Sequence, residues 1–123
     1  MKYLQRIHHV ALHVADVARS IAFYKEVLEL SQLPRPAFDF PGAWFGLGDG
    51  FELHLIGGRT EPVHSASRGN HFALLVSDIQ AVAQHLRSKG LSFRGPKTRP
   101  DGAWQIFLSD PDGHTIEFTQ LLP

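Results

Sequence analysis

Eight histidines stand among the 123 residues of this chain, and cysteine is absent. Imidazole is the commonest metal ligand in proteins and the usual acid–base group near neutral pH. The absence of cysteine excludes disulfides, thiolate zinc sites, iron–sulfur clusters and thiol nucleophiles. The chemistry of the chain therefore depends on imidazole and carboxylate side chains, and on the elements that position them.

An internal repeat places histidines at matching points of the two halves. Residues 9–17 (HVALHVADV) align with residues 71–79 (HFALLVSDI), and each half of this match begins with histidine. Two shorter matches follow in the same order: Gly-Ala-Trp at 42–44 and 102–104, and Asp-Gly at 49–50 and 112–113. Such self-similarity predicts two copies of one structural unit, with Trp44 and Trp104 as repeat mates.

Each copy has the pattern of a β-α-β-β-β unit. Val10, Leu12 and Val14 alternate with other residues, as in a half-buried strand. Asp16 and Asp78 stand where helix N-caps belong, and Gly90 stands where the second helix would stop. The other predicted strands lie near residues 30–33, 43–47, 51–56, 91–94, 103–109 and 115–120.

These elements predict an α+β fold in which two βαβββ modules form a concave sheet around a metal-binding cavity. We expect a single domain over residues 1–123, with half-modules at about 5–58 and 68–122. Each half is too small to cover both faces of its own sheet, so two sheets should share a surface. That surface could form within one chain or across a dimer.

Four residues are predicted to face the cavity. His9 and its repeat mate His71 lie on the strand face opposite the alternating apolar residues. The fourth residue after the turn glycine of the last strand is His54 in the first half and Glu117 in the second. Three imidazoles and a carboxylate suit a divalent transition metal with open positions. Glu52 shares the strand face of His54, so it remains an alternative fourth ligand.

Charge and composition narrow the classes of partner. Lys plus Arg and Asp plus Glu are 12 each, so the chain lacks the basic excess of a nucleic-acid-binding protein. No apolar run approaches the roughly 20 residues of a membrane helix, and we expect a cytoplasmic protein without a membrane partner. Five basic residues lie between Asp78 and Asp101 with no acidic residue among them: Arg87, Lys89, Arg94, Lys97 and Arg99. They could attract an anionic substrate or simply form a solvated surface.

Over about residues 4–121 the chain resembles the vicinal oxygen chelate superfamily, which includes glyoxalase I, extradiol dioxygenases and bleomycin-resistance proteins. The motifs that carry the resemblance are HHVALHVAD at 8–16, SIAFY at 20–24, HFAL at 71–74, DPDG at 110–113 and Ile116-Glu117. The resemblance implies one divalent metal per site (Zn, Ni, Mn or Fe) at His9, His71 and Glu117. It also implies a fourth ligand on the strand of His54, a small substrate with vicinal oxygens, and a homodimer.

The predicted function is that of a metal-dependent isomerase or lyase of glyoxalase type. Extradiol-type dioxygenase activity and non-catalytic binding of a small molecule remain alternatives. Glyoxalase I has Arg four residues after its first ligand and Asn four after its second, where this chain has His13 and Gly58, and both differences argue against a glutathione adduct. Glu117 and Glu52 are the candidate bases. The candidate substrate contacts are His13, Phe40, Trp44 and Trp104.

Overall fold

A computed structural model describes residues 1–123, and the chain separates into two compact units, Met1–Thr60 and Glu61–Pro123. Unit 1 contains β1 (His9–His13), α1 (Val17–Ala22) with a π-helical turn (Phe23–Val27), β2 (Gln32–Leu33), β3 (Gly42–Gly46) and β4 (Glu52–Ile56). Unit 2 contains β5 (Phe72–Leu75), α2 (Ile79–Ser88), β6 (Arg94–Thr98), β7 (Trp104–Ser109) and β8 (Thr115–Gln120). The predicted α+β class with two βαβββ modules is confirmed.

The two four-stranded sheets have the same topology. The order is β1-β4-β3-β2 in unit 1 and β5-β8-β7-β6 in unit 2, and in each sheet the first and last strands of the module run parallel. Val10 pairs with Leu53, and their repeat mates Phe72 and Ile116 also pair. The register therefore makes His54 the structural equivalent of Glu117, as the repeat predicts.

Alternate strand residues of unit 1 form its core. Leu12, Leu53, Leu55 and Phe45 are buried, and Tyr24 from the π-helical turn is fully buried with them. Full burial of side chains of this size stabilises a fold by about 1.5–3 kcal/mol each. The core thus fixes which face of the sheet is left for polar residues, because side chains alternate between the two faces of a strand.

Helix caps position α1 and α2 as predicted. The carboxylate of Asp16 accepts a hydrogen bond from the backbone N–H of Arg19, and that of Asp78 accepts from Gln80 and Ala81. Gly90 follows the end of α2 with a φ of 73°, which favours glycine. Such caps stabilise a helix by about 1 kcal/mol each and fix where it begins. No helix of the structure is both long and apolar enough to cross a membrane.

In unit 2, α2 contacts β6, β7 and β8. Ile79, Ala83 and Leu86 form the buried stripe of the helix. The sheet supplies a matching apolar face, whose buried residues are Ile106, Leu108, Ile116 and Phe118. Because an apolar helix stripe packs on an apolar sheet face, the residues between these four lie on the face opposite the helix. This face is called the uncovered face below because α2 does not pack on it, although Phe107 and Glu117 are themselves buried.

Two details of unit 2 correct the sequence predictions. The strand predicted at 91–94 is instead β6 at Arg94–Thr98, an edge strand that contains Pro96 and whose register with β7 shifts between Arg94 and Lys97. Edge strands tolerate proline because one side of the strand needs no backbone partner. Most residues of β6 are exposed, so the strand has no apolar alternation by which a sequence pattern could locate it.

The second correction concerns the tryptophans. Trp44 pairs with His54, whereas the residue paired with Glu117 is Phe107, and Trp104 pairs with Gln120. The structural mate of Trp44 is therefore Phe107. The two hairpins have five-residue loops in the same register, since Gly46 pairs with Glu52 and Ser109 pairs with Thr115. The Gly-Ala-Trp match at 102–104 is out of register because it lies three residues earlier along β7 than the triplet at 42–44 lies along β3.

Candidate metal centre

The uncovered face of the unit 1 sheet brings three predicted site residues together. His9 pairs with Glu52, and Ala11 pairs with His54, so His9, Glu52 and His54 point to the same side of the sheet. The His9 and His54 rings stack with centroids 4.0 Å apart. His54 is mostly buried, because Trp44 stacks on its other side at 4.0 Å with the rings nearly parallel.

Hydrogen bonds orient these imidazoles. Nε2 of His54 lies 2.8 Å from Oε1 of Glu52. Nδ1 of His9 lies 2.9 Å from Nδ1 of His8, so one of these two rings donates and the other accepts. No role was predicted for His8, although the His-His dipeptide indicates a second imidazole directly before β1.

The charges of unit 1 favour metal-binding protonation states. Partial burial lowers the pKa of His9, and the neighbouring His54 and His8 lower it further. The hydrogen bond from His54 lowers the pKa of Glu52, although desolvation opposes this shift. A neutral imidazole and an ionised carboxylate are the forms that bind metal ions.

In unit 2 a hydrogen-bond network holds Glu117. Its Oε1 lies 3.0 Å from Nε2 of His71, while its Oε2 accepts from Nε2 of Gln105 at 3.2 Å and from the hydroxyl of Thr119. Burial alone would raise the pKa of Glu117, but the hydrogen bonds from Thr119, Gln105 and His71 outweigh it and lower the pKa. The carboxylate is therefore ionised and fixed in orientation.

The His71–Glu117 pair fits a bound cation. Nδ1 of His71 donates to the backbone oxygen of Gly69 at 3.1 Å, because a carbonyl can only accept. With Nδ1 donating, Nε2 can also donate to the Glu117 oxygen at 3.0 Å only in the imidazolium form, which has a proton on each nitrogen. In the neutral ring a lone pair on Nε2 faces the carboxylate oxygen, and a metal ion could take the place of that proton. Backbone-oriented imidazoles of this kind are typical of metal ligands.

Neither pair is a complete metal site. No group of three or more His, Cys, Asp or Glu side chains is arranged to hold a metal ion by itself. Unit 1 brings His9 and His54 together, and unit 2 brings His71 and Glu117 together, with His54 and Glu117 at equivalent positions of their sheets. Each pair is called a candidate half-site below.

The predicted substrate contacts divide into two groups. His13 shares the face of His9, and its Nε2 donates to the backbone oxygen of Gly57 at 3.2 Å. Trp44 shares that face and approaches Phe38, whose ring stacks on Phe40 in the preceding loop. Trp104 instead lies on the helix side of its sheet, because β7 alternates and the buried Ile106 and Leu108 share that side. It does not share a face with Glu117.

Comparison with known proteins identifies the family. The model of the Glyoxalase/Bleomycin resistance protein/Dioxygenase superfamily matches residues 6–118. The chain belongs to this superfamily. The likeness to the vicinal oxygen chelate proteins seen in the sequence is thereby confirmed.

Individual members of this superfamily match over nearly their whole length. A lactoylglutathione lyase from Haemophilus influenzae is 33% identical over 94% of this chain and 92% of its own. The uncharacterized protein YwbC of Bacillus subtilis is 32% identical over 94% of this chain and 98% of its own. A glyoxalase family protein from Bacillus anthracis has a crystal structure that superposes with a TM-score of 0.84, at 29% identity and 98% coverage of both chains.

Proposed function

We propose that the chain is a metal-dependent enzyme of glyoxalase type, an isomerase or lyase acting on a small molecule with two vicinal oxygens. The proposed ligands of one divalent metal (Zn, Ni, Mn or Fe) are His9, His54, His71 and Glu117. The observation that carries the proposal is the equivalence of the half-sites. His9 begins β1 and His71 immediately precedes β5, while His54 and Glu117 occupy equivalent positions on the last strand of each unit.

The bound metal would supply Lewis-acid polarisation of the two substrate oxygens. The residues of the chain would hold the metal and move the proton. Glu117 is held by Gln105, Thr119 and His71, which suits a ligand that must not move. Glu52 has His54 as its hydrogen-bonding partner and a side chain 23% exposed. We therefore assign Glu52 as the base that accepts a substrate proton on its carboxylate, and Glu117 as the ligand.

The register supports His54 rather than Glu52 as the fourth ligand. His54 pairs with Ala11, as Glu117 pairs with Ala73, the repeat mate of Ala11. Glu52 instead lies one residue before Leu53, whose counterpart is Ile116, so its counterpart in unit 2 is Thr115 rather than an acidic residue. On this proposal Glu52 accepts the substrate proton and orients the His54 ring by its hydrogen bond.

Metal analysis tests the proposal directly. Protein purified without chelators or a nickel column should contain about one divalent metal per site, and His71→Ala should lose most of it. His64→Ala is the matched control, because it removes a histidine of the same unit that lies in the segment before β5. Both variants should keep their circular dichroism spectrum, since the apolar cores form without the metal. Equal metal content in wild type and His71→Ala would contradict the proposal.

The proposed assembly is a homodimer. Strands β1 and β5 are edge strands of their sheets, and Leu75 on β5 is 72% exposed. Exposed sheet edges with apolar residues are typical sites of association. Light scattering at micromolar concentration should give the mass of two chains, and the mass of one chain would contradict this assembly.

Mixing two metal-deficient variants would show whether a metal site combines half-sites of one chain or of two chains. If sites form between two chains, refolding His9→Ala together with Glu117→Gln should create mixed dimers with one intact site each. Metal binding would then return in part. If each site forms within one chain, every site of the mixture carries one substitution, and no binding returns.

Two alternatives have their own supporting observations. His9, His71 and Glu117 form a two-histidine, one-carboxylate set of the kind used by iron(II) oxygenases, so iron-dependent oxygen consumption with a catechol would favour a dioxygenase. The stacked and exposed Phe38 and Phe40 favour a non-catalytic binder of planar molecules. Such a protein would keep its ligand affinity after chelation of the metal, whereas the proposed enzyme would lose turnover.

A further inference from the structure

The structure separates four of the five basic residues between Asp78 and Asp101 by environment. Arg99 forms two hydrogen bonds with Asp101, at 2.9 and 2.7 Å. Arg87 lies on α2, with its guanidinium over the ring of Phe93. Arg94 and Lys97 lie on β6, exposed, and neither forms an ion pair with a carboxylate of the chain. These two cations are therefore available to a ligand.

Arg94 and Lys97 share one aromatic ring. Each cationic group lies 5.5 Å from the centroid of Phe107, so the two groups are separated by no more than twice that distance. Phe107 is 4% exposed and cannot move freely. Cation–π contact holds both side chains at this point, although their like charges repel. Two cations that contact one ring and form no ion pair with a carboxylate are a favourable place for an anion.

The same ring adjoins the half-site of unit 2. Phe107 pairs with Glu117 across β7 and β8, and its ring packs edge-on against the His71 ring at 5.9 Å. Arg94 pairs with Phe107, and Lys97 pairs with Gln105, so both basic residues lie on the uncovered face that carries Glu117. The cations and the proposed metal ligands are therefore neighbours on a single sheet.

We propose that Arg94 and Lys97 form an anion-binding subsite that holds a carboxylate or phosphoryl group of the substrate. This inference rests on the proposed function, because it names the class of substrate that the metal site would process. The substrate would be a small acid that carries vicinal oxygens at one end and an anionic group at the other. The substrate would be short. Each cation lies 5.5 Å from the Phe107 centroid, and that centroid lies 5.9 Å from the centroid of the His71 ring, so the distance from cation to His71 cannot exceed the sum of the two.

Titration of metal-free protein with simple anions tests the subsite without requiring any activity. The probes are inorganic phosphate and succinate, titrated at constant ionic strength and followed by amide chemical shifts. We expect saturable binding of at least one of them, with shifts centred on β6 and β7. The double variant Arg94→Ala/Lys97→Ala should weaken this binding at least tenfold. A preference for phosphate or for succinate would distinguish a phosphoryl from a carboxylate substrate.

The matched control is Arg87→Ala. It removes one positive charge from the same basic run and one cation from a phenylalanine ring at the same distance of 5.5 Å, but on α2. It should leave anion binding unchanged. Absence of saturable binding in the wild type, or an equal loss in Arg87→Ala, would overturn the proposal. Because the titrated protein is metal-free, a saturable anion site that depends on Arg94 and Lys97 would stand even if the metal proposal failed.

Discussion

The His71–Glu117 pair of unit 2 and the His9–His54 pair of unit 1 occupy equivalent backbone positions but have different neighbours. Around Glu117, Gln105 and Thr119 donate hydrogen bonds to the carboxylate. The positions equivalent to this paired Gln105 and Thr119 in unit 1 are the paired Gly42 and Ile56, which offer no side-chain donor. A buried carboxylate stays ionised only if hydrogen-bond donors stabilise its charge, whereas a neutral imidazole has no charge to stabilise.

Unit 1 positions its imidazoles by stacking instead. Trp44 and His9 lie on the two sides of His54, each with a centroid distance of 4.0 Å, and Glu52 bonds Nε2 of the same ring. Phe107 replaces Trp44 in unit 2, where its ring contacts His71 edge-on instead of stacking on an imidazole, and also contacts two cations. The two copies of one module have therefore diverged into an aromatic half-site and a hydrogen-bonded, cation-flanked half-site.

The largest expected effect is that of Glu117→Gln. The substitution keeps size and some hydrogen bonding but removes the one negative charge among the four proposed ligands. We expect metal affinity to fall at least a hundredfold, or about 2.8 kcal/mol, in a titration with the same metal at neutral pH. Glu26→Gln, an exposed carboxylate in the π-helical turn, is the control and should bind metal as the wild type does. Unchanged affinity in Glu117→Gln would remove unit 2 from the proposed site.

A smaller effect is expected in unit 1. His54→Ala should weaken metal binding by a factor of about 10 or more, which corresponds to at least about 1.4 kcal/mol. Glu52→Ala should leave affinity nearly unchanged while slowing turnover, because we assign it to proton transfer. A large loss of affinity in Glu52→Ala with none in His54→Ala would reverse the two assignments and leave the base to be sought elsewhere.

The faces of the strands were predictable from sequence because register follows the apolar alternation. A slip of one residue would move Leu53 and Leu55 out of the core, so the repeat could match His54 with Glu117 without a structure. The pairing of His54 with Ala11 across the parallel strands came only from the structure. Their binding of a metal stays a prediction.

Contacts across strands were not predictable from the repeat alone. Gln105 and Thr119 reach Glu117 because β7 pairs with β8 in one particular register, which the hairpin sets. The identical Gly-Ala-Trp triplets pointed to Trp104, and only strand pairing shows Phe107 in the place of Trp44. The association of Arg94 and Lys97 on one ring likewise depends on the irregular pairing of β6, where apolar periodicity carries no information.

The smallest expected effect tests whether donors around Glu117 matter for metal binding. Gln105→Leu removes a 3.2 Å hydrogen bond to the carboxylate while keeping the strand pairing through the backbone. Groups that orient a metal ligand typically contribute about tenfold or more to metal affinity, but Thr119 and His71 also hold Glu117, so we expect a loss of about three- to tenfold. Gln32→Leu, an exposed glutamine on β2 of unit 1, is the control and should change nothing. Both variants should unfold at a midpoint close to that of the wild type in urea, so that a change in affinity reports the orientation of Glu117 rather than the stability of the module. An affinity equal to wild type in Gln105→Leu would mean that the Gln105 donor contributes nothing to metal binding, and that Thr119 and His71 are enough to hold Glu117.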